Sequence, residues 1–422
     1  MSHLLQLLLL LSLIIAAAKL SGAAANRVGQ PAVFGEILAG LLLGPTLLDV
    51  LAWPVFTGSP PVPGAPLAQI VRDLAEIGVI LLMFIAGMET DLAELRRIGK
   101  VAFWSAAGGV VLPLIAGAIV ARAFGLPLLW EGLFIGTILT ATSVSISAQT
   151  LMELGVLRTK EGSTILGAAV IDDVMGIMLL SAVVAFAADG GSVNLRDLVP
   201  IVLRIGAFFA IAILCGRFLA PLVRAADRLG VSQGLLGLVL VVAFLYAWGA
   251  DYLGKMAPIT GSYVAGVLFA QTPHKERIDT GIHPLTYSMF VPVFFVNIGL
   301  EANGRALGGD ILFTLVLVGA AIVTKAVGCG AVARFFGFTT RESVRVGFGM
   351  ISRGEVGLIV ASYGLAHGII GRNVFSASVI MVLASTMVTP PLLRAVFPRA
   401  RLHRAPVVEE TIAGPPEEIE DQ

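Results

Sequence analysis

Long apolar stretches separated by short polar breaks run along this chain from residue 3 to residue 396. Thirteen spans can be placed, at 3–21, 31–46, 67–88, 101–123, 129–152, 162–187, 197–222, 232–252, 256–271, 286–301, 311–334, 343–367 and 373–396. Each is long enough to cross a bilayer, or nearly so. A backbone facing lipid must satisfy its hydrogen bonds within its own segment, so the spans are expected as helices. Basic residues set their orientation. With the N-terminus outside, the outer side keeps only Arg72, Arg122, Arg196, Arg204, Lys255, Arg305 and Arg372, and the other placed Lys and Arg residues fall inside. That asymmetry predicts an outer N-terminus and a cytoplasmic C-terminus in an inner (plasma) membrane. The first span is expected to be retained: Ala23-Ala24-Ala25 resembles a cleavage site, but no Lys or Arg precedes the apolar run. The polar segment 399–422, with Pro415-Pro416 and Glu417-Glu418, is expected to be a disordered cytoplasmic tail.

Spans 1–6 and 8–13 form two halves joined by span 7, and the odd connector makes the second half enter from the opposite side. In that alignment span 5 pairs with span 12, and both carry polar residues at mid-membrane. Span 5 has Thr140-Ala141-Thr142-Ser143-Val144-Ser145-Ile146-Ser147, and span 12 has Ser352-Arg353-Gly354-Glu355 among glycines. Matched interruptions of this kind point to unwound helices that cross at an ion site. The expected fold class is therefore an all-α integral membrane protein with thirteen transmembrane helices, inverted six-helix repeats and two broken crossing helices.

Composition narrows the class. Hydrophobic residues make up 57% and charged residues 13%, and mean hydropathy is +0.93, which excludes an ordinary soluble globular protein. A net charge of zero gives no footprint for nucleic acid. Cys215 and Cys329 lie in apolar stretches without metal or redox spacing. The glycines from Gly347 to Gly357 follow no strand and lie in the membrane, so they are not read as a phosphate loop. No enzyme is expected.

The ionisable residues inside the spans carry the chemistry. Asp172 and Asp173 are adjacent within an apolar run from Ile165 to Phe186. Two buried carboxylates side by side cannot both ionise cheaply, so the pair must bind a cation, a proton or a basic partner. Asp172 lies about 15 Å along its span from the inner end, and Lys325 about 13 Å along its own, at 1.5 Å rise per residue. Acid and base thus share a depth, and a pairing of Lys325 with Asp172 or Asp173 is expected. Arg353 and Glu355 are expected to neutralise the half-helix ends at the crossing rather than to ligate an ion. Glu36 and Glu76 are embedded or nearly so, and are read as accessory candidates.

Several long motifs in order resemble the monovalent cation/proton antiporter 2 family, nearest its NapA-type sodium/proton antiporters. They are Gln30–Gly40 followed by Gly44-Pro45, LAEIGVILLMFIAGME at 74–89, ATSVSISA at 141–148, GAAVIDDVMGI at 167–177, PVFFVNIGL at 292–300 and SRGEVGLIVA at 352–361. The resemblance covers nearly the whole chain outside the tail. It implies a homodimer with helices 1–3 (residues 1–98) and 8–10 (229–303) on the dimer and gate side. Helices 4–6 (99–190) and 11–13 (304–398) would form a core that moves as an elevator, with helix 7 (191–228) as linker. Carried over by motif, Asp173 is the main site shared by cation and proton, and Asp172 pairs with Lys325. Thr142 and Ser143 add oxygen ligands, and Asn297 is a further accessory candidate. Sodium or lithium ions and protons are then the substrates, with the carboxylates as sodium ligands and no cofactor. An Asp before the key Asp, where electroneutral members have Asn, implies electrogenic exchange. Ser145 stands where relatives often have Gly, which puts the local backbone shape in question.

Physical chemistry leads to the same kind of mechanism. Carboxylate, hydroxyl and carbonyl oxygens are hard donors that suit a small dehydrated cation. Desolvation favours the neutral form of a carboxylate, so proton and cation compete for one group, and competition produces antiport. A potassium/proton antiporter of the same family is the alternative, and a cation channel a more remote one.

Overall fold

The computed structural model describes residues 2–57, 67–188, 195–227, 232–301 and 311–397. The tail expected at 399–422 lies outside them. No strand occurs among the described residues. The chain opens with α1 (His3–Arg27), α2 (Ala32–Leu43), the short α3 (Pro54–Thr57) and α4 (Leu67–Glu89). Then come α5 (Leu92–Ala123), α6 (Leu133–Thr140), α7 (Val144–Glu153), α8 (Lys160–Ala188), α9 (Leu195–Gly216) and α10 (Leu219–Asp227). They are followed by α11 (Gly234–Tyr252), α12 (Pro258–Phe269), α13 (Lys275–Leu285) and α14 (Val291–Leu300). The chain closes with α15 (Ile311–Phe335), α16 (Thr340–Gly349), α17 (Gly354–Ala366) and α18 (Arg372–Val396).

Among the described residues nine helical stretches are long and apolar enough to cross a membrane, while Ala32–Leu43, Pro258–Phe269 and Val356–Ala366 are apolar but shorter. The faces left uncovered suit lipid. α1 exposes Leu4, Leu5, Leu8, Leu9 and Leu20, and α15 exposes Ile311, Leu312, Leu315, Val323 and Val327. Apolar patches of that extent are rare on proteins that meet water.

Element boundaries depart from the hydropathy reading where capping chemistry takes over. α5 starts at Leu92, not near residue 101, because the Asp91 side chain accepts from the amides of Ala93 (2.8 Å) and Glu94 (3.3 Å). This N-cap lets a charged turn join the apolar helix. α2 stops at Leu43, since Gly44 is followed by Pro45. Between α13 and α14 the helix widens to a π turn at Thr286–Phe290, where Pro292 has no amide to continue the regular ladder.

Two sets of helices can be distinguished by packing. In one, α5 lies along α15 and α8, α15 along α16 and α18, and α17 against α18. In the other, α4 lies along α12 and α14, α2 along α1 and α14, and α11 along α12. The sets meet where α7 touches α4 and α2, and where α18 touches α2.

Candidate functional site

The chain is interrupted between α6 and α7 and again between α16 and α17. Ala141 and Ser143 take extended backbone angles (ψ 139° and 111°), which separates α6 from α7. The second interruption spans Met350 to Arg353 and ends at Gly354, whose φ is +44°. A Cβ at Gly354 would also come within 2.6 Å of the Ser143 side chain, so glycine is required there on both counts. The two breaks hold each other. The Ser143 amide donates to the Ser352 carbonyl at 2.8 Å, the Ser352 hydroxyl donates to the Ser143 carbonyl at 3.0 Å, and the Ser147 hydroxyl donates to the Gly349 carbonyl at 2.5 Å.

Unwinding leaves carbonyls at the C-terminal ends of α6 and α16 without helical partners. Arg353 and Lys325, both with 0% exposure, supply those partners. The Arg353 guanidinium donates to Ile351 O (2.5 Å), Leu139 O (2.6 Å) and Ala321 O (2.8 Å). The Lys325 Nζ donates to Thr140 O at 2.6 Å and to Asp172 Oδ1 at 2.9 Å. Fixed positive charge therefore sits at the negative ends of two half-helices, where the dipole favours it. Asp172 compensates the lysine, in a pair whose side chains are 0% and 2% exposed. The Glu355 side chain lies outside the described residues.

Asp173 is placed differently. It is 9% exposed, and its Oδ2 accepts from the Thr260 hydroxyl at 3.0 Å. Thr260 lies on the first turn of α12, in the other set of helices, and nothing in the residue pattern singles it out. Its hydroxyl follows Pro258 in an otherwise apolar run, like many hydroxyls that bond only to their own helix.

The remaining candidates can be located as well. Thr142 reaches the Asp172 carboxylate with its hydroxyl, and that hydroxyl also lies 3.5 Å from Thr140 O. The Ser143 and Ser145 hydroxyls lie 2.9 Å apart. Ser145, where relatives often have Gly, thus sits in the first turn of α7 without disturbing the helix. Glu36 lies on α2 and Glu76 on α4, and each lines a separate cavity, of about 770 Å³ and about 470 Å³. Asn297 shares the Glu76 cavity, where its amide donates to Glu301 Oε1 at 3.1 Å and Glu301 pairs with Arg72 at 2.8 Å. Two further ionic contacts escaped the sequence reading. The Glu153 carboxylate caps the start of α2 by accepting from the amides of Ala32 (2.6 Å) and Val33 (3.3 Å). Glu161 pairs with Arg345 at 2.6 Å, which ties α8 to α16.

Membrane-length helices, interrupted helices in mutual contact and a buried carboxylate pair with its lysine define an integral-membrane ion transporter. The family is shown by direct comparison. The profile described as "Sodium/hydrogen exchanger, transmembrane" matches residues 10–397, and the chain belongs to that family of monovalent cation/proton antiporters. It is 38% identical over 388 residues to the Na(+)/H(+)-K(+) antiporter GerN of Bacillus cereus, covering 92% of this chain and 95% of that protein. It is 36% identical over 387 residues to a Na(+)/H(+) antiporter of Enterococcus hirae, covering 91% and 96%. Among solved structures, the sodium proton antiporter MjNhaP1 of Methanocaldococcus jannaschii superposes with a TM-score of 0.69. That match covers 93% of this chain and 97% of the other at 16% identity, a likeness of fold alone.

Proposed function

We propose that this protein exchanges sodium or lithium ions for protons across the cell membrane, with cation and proton competing for Asp173. The observation that carries the reading is the placement of two adjacent buried acids, one inside a set of helices and one where the two sets meet. Asp172 is paired with Lys325 of its own set of helices at 2.9 Å, and Asp173 accepts from the Thr260 hydroxyl of the other set at 3.0 Å. An acid in that position can be neutralised by a proton or by a small cation, and occupancy by one excludes the other. Membership of an antiporter family supports exchange over channel conduction.

In this reading thirteen spans form two inverted halves with the N-terminus outside and the C-terminus inside, and two chains form a homodimer. The set built on α5–α8 and α15–α18 is the moving core. The set built on α1, α2, α4, α11, α12 and α14 is the gate. The Asp173–Thr260 hydrogen bond then crosses the boundary between them and must break as the core moves. A bare carboxylate resists that passage because its charge would leave water uncompensated. Release of the Lys325 proton when a cation engages Asp172 would make exchange electrogenic, worth about 2.3 kcal/mol per elementary charge per 100 mV.

The test is Asp173→Asn in proteoliposomes with a pH-sensitive dye. Sodium-driven proton movement should vanish while the purified protein stays folded; near-normal exchange would remove Asp173 from the mechanism. An imposed membrane potential should change the wild-type rate, and indifference to it would argue for electroneutral exchange. Potassium is the second reading, because the name of the Bacillus cereus relative includes it. A series of alkali cations in the same assay separates the two.

A further inference from the structure

Glu36 lies outside the Asp172–Asp173 arrangement. It is 7% exposed, it lines the cavity of about 770 Å³, and among the described residues no hydrogen bond or close ion pair reaches its carboxylate. Its charged neighbours are already engaged. Lys19 Nζ donates to Tyr287 O at 2.7 Å. Glu153, whose negative charge acts on Glu36, is satisfied as an anion by the amides of Ala32 and Val33 and by Gln149 Nε2 at 2.9 Å. Glu36 sits one turn further along α2 and has no such amides. An independent observation points into the same space: the Gln30 Oε1 is buried, lacks a partner and also lines this cavity. The cavity therefore offers a carboxylate and an amide oxygen that no hydrogen-bond donor reaches among the described residues, at a cost unless something fills it.

The groups facing Glu36 across the cavity are Lys19 on α1, Glu89 on α4, Glu153 on α7, His283 on α13, Tyr287 in the π turn after it, and Arg394 on α18. Three carboxylates there, counting Glu36, face the two fixed cations Lys19 and Arg394, so the lining holds more acids than fixed cations. Oxygen donors of this type suit a small hard cation, and the volume lets the ion keep part of its water.

We propose that this cavity holds a second monovalent-cation site, built on the Glu36 carboxylate and the Gln30 amide oxygen and separate from Asp172–Asp173. The site itself does not depend on the exchange mechanism. Its use does: in the proposed topology the cavity opens on the cytoplasmic side, where a held ion waits at the inner mouth of the transport path.

The Asp173→Asn protein is the background, because its central exchange acid is gone, and the Glu36 substitution then separates this site from Asp172. Its thermal unfolding midpoint in detergent should rise with sodium chloride relative to choline chloride, as binding to the folded state requires. Adding Glu36→Gln should abolish the sodium-specific rise, and adding Gln30→Ala instead should move it to higher sodium concentration. The proposal is overturned if Asp173→Asn shows no sodium-specific rise, or if the rise survives Glu36→Gln. Where the Glu36→Gln combination does not stay monodisperse, an unmoved sodium midpoint with Gln30→Ala overturns it equally. Failure of the exchange reading has a different signature, namely Asp173→Asn proteoliposomes that still exchange sodium for protons.

Discussion

The crossing of the broken helices and the seam between α8 and α12 are both buried and both polar, yet they are built on opposite plans. At the crossing, two cations with no exposure answer carbonyls from the two breaks, the Ala321 carbonyl of α15 and one carboxylate. At the seam, the Asp173 carboxylate accepts from a hydroxyl of the other set of helices. The first arrangement strands a charge if any member is lost, so it is a frame. The second joins the two sets of helices through a neutral donor, so in the proposed mechanism it is the place where parts separate. In the proposed mechanism, rigidity at the frame keeps the breaks open, and the seam is where the exchanged ions come and go.

The largest effect should come from breaking the frame. Lys325→Ala leaves Asp172 buried without its counter-charge, and loss of one partner from a buried pair costs about 3–5 kcal/mol. A large fall in the unfolding midpoint in detergent is expected. Lys325→Met combined with Asp172→Leu should recover much of it, since an apolar pair of similar volume tolerates the site. If the single variant were as stable as the wild type, the frame would not depend on this pair. Gly354→Ala comes next: it forces a side chain into a left-handed backbone against Ser143, at about 1–3 kcal/mol. Expression and midpoint should both drop, and an unchanged midpoint would mean the crossing can yield.

At the seam, Thr260→Val should hardly affect the fold. Removing a hydroxyl that steadies the bare carboxylate changes binding by about 1 kcal/mol, roughly fivefold. The half-saturating sodium concentration should fall by up to that factor. A rise would make the hydroxyl a ligand of the cation instead. The smallest effect should come from Arg72→Ala. The Arg72–Glu301 pair is short, at 2.8 Å, but its side chains are 52% and 29% exposed, and surface pairs contribute at most about 1 kcal/mol. Exchange and midpoint should stay near wild type, and a marked loss would give that cavity a part in the path.

The two regions were not equally legible in the sequence. A lysine amid apolar residues must find an anion, and helix rise alone put Lys325 level with Asp172; the structure has them 2.9 Å apart. The polar runs around Thr142 and Ser352 stood out because nothing else interrupts those spans. Arg353 could be assigned to helix ends from charge and position, although not to the particular carbonyls of Leu139 and Ala321. Thr260 was invisible, because a hydroxyl in an apolar helix has no distinguishing pattern and its partner is 87 positions away. Glu153 was passed over for a similar reason. It ends an apolar span, where an acid looks merely solvated, but it reaches back to cap α2. The start of α5 was misplaced because hydropathy weighs the charged turn after Asp91 as a loop and ignores the cap that makes it helical.

Competition at one acid is the claim on which the rest turns, and steady-state exchange at graded pH reads it directly. Reconstituted protein should need more sodium for half-maximal rate as the medium is acidified, while the rate at saturating sodium stays constant. A maximal rate that falls on acidification at an unchanged half-saturating sodium concentration would show that the two ions bind in different places, and would contradict the account.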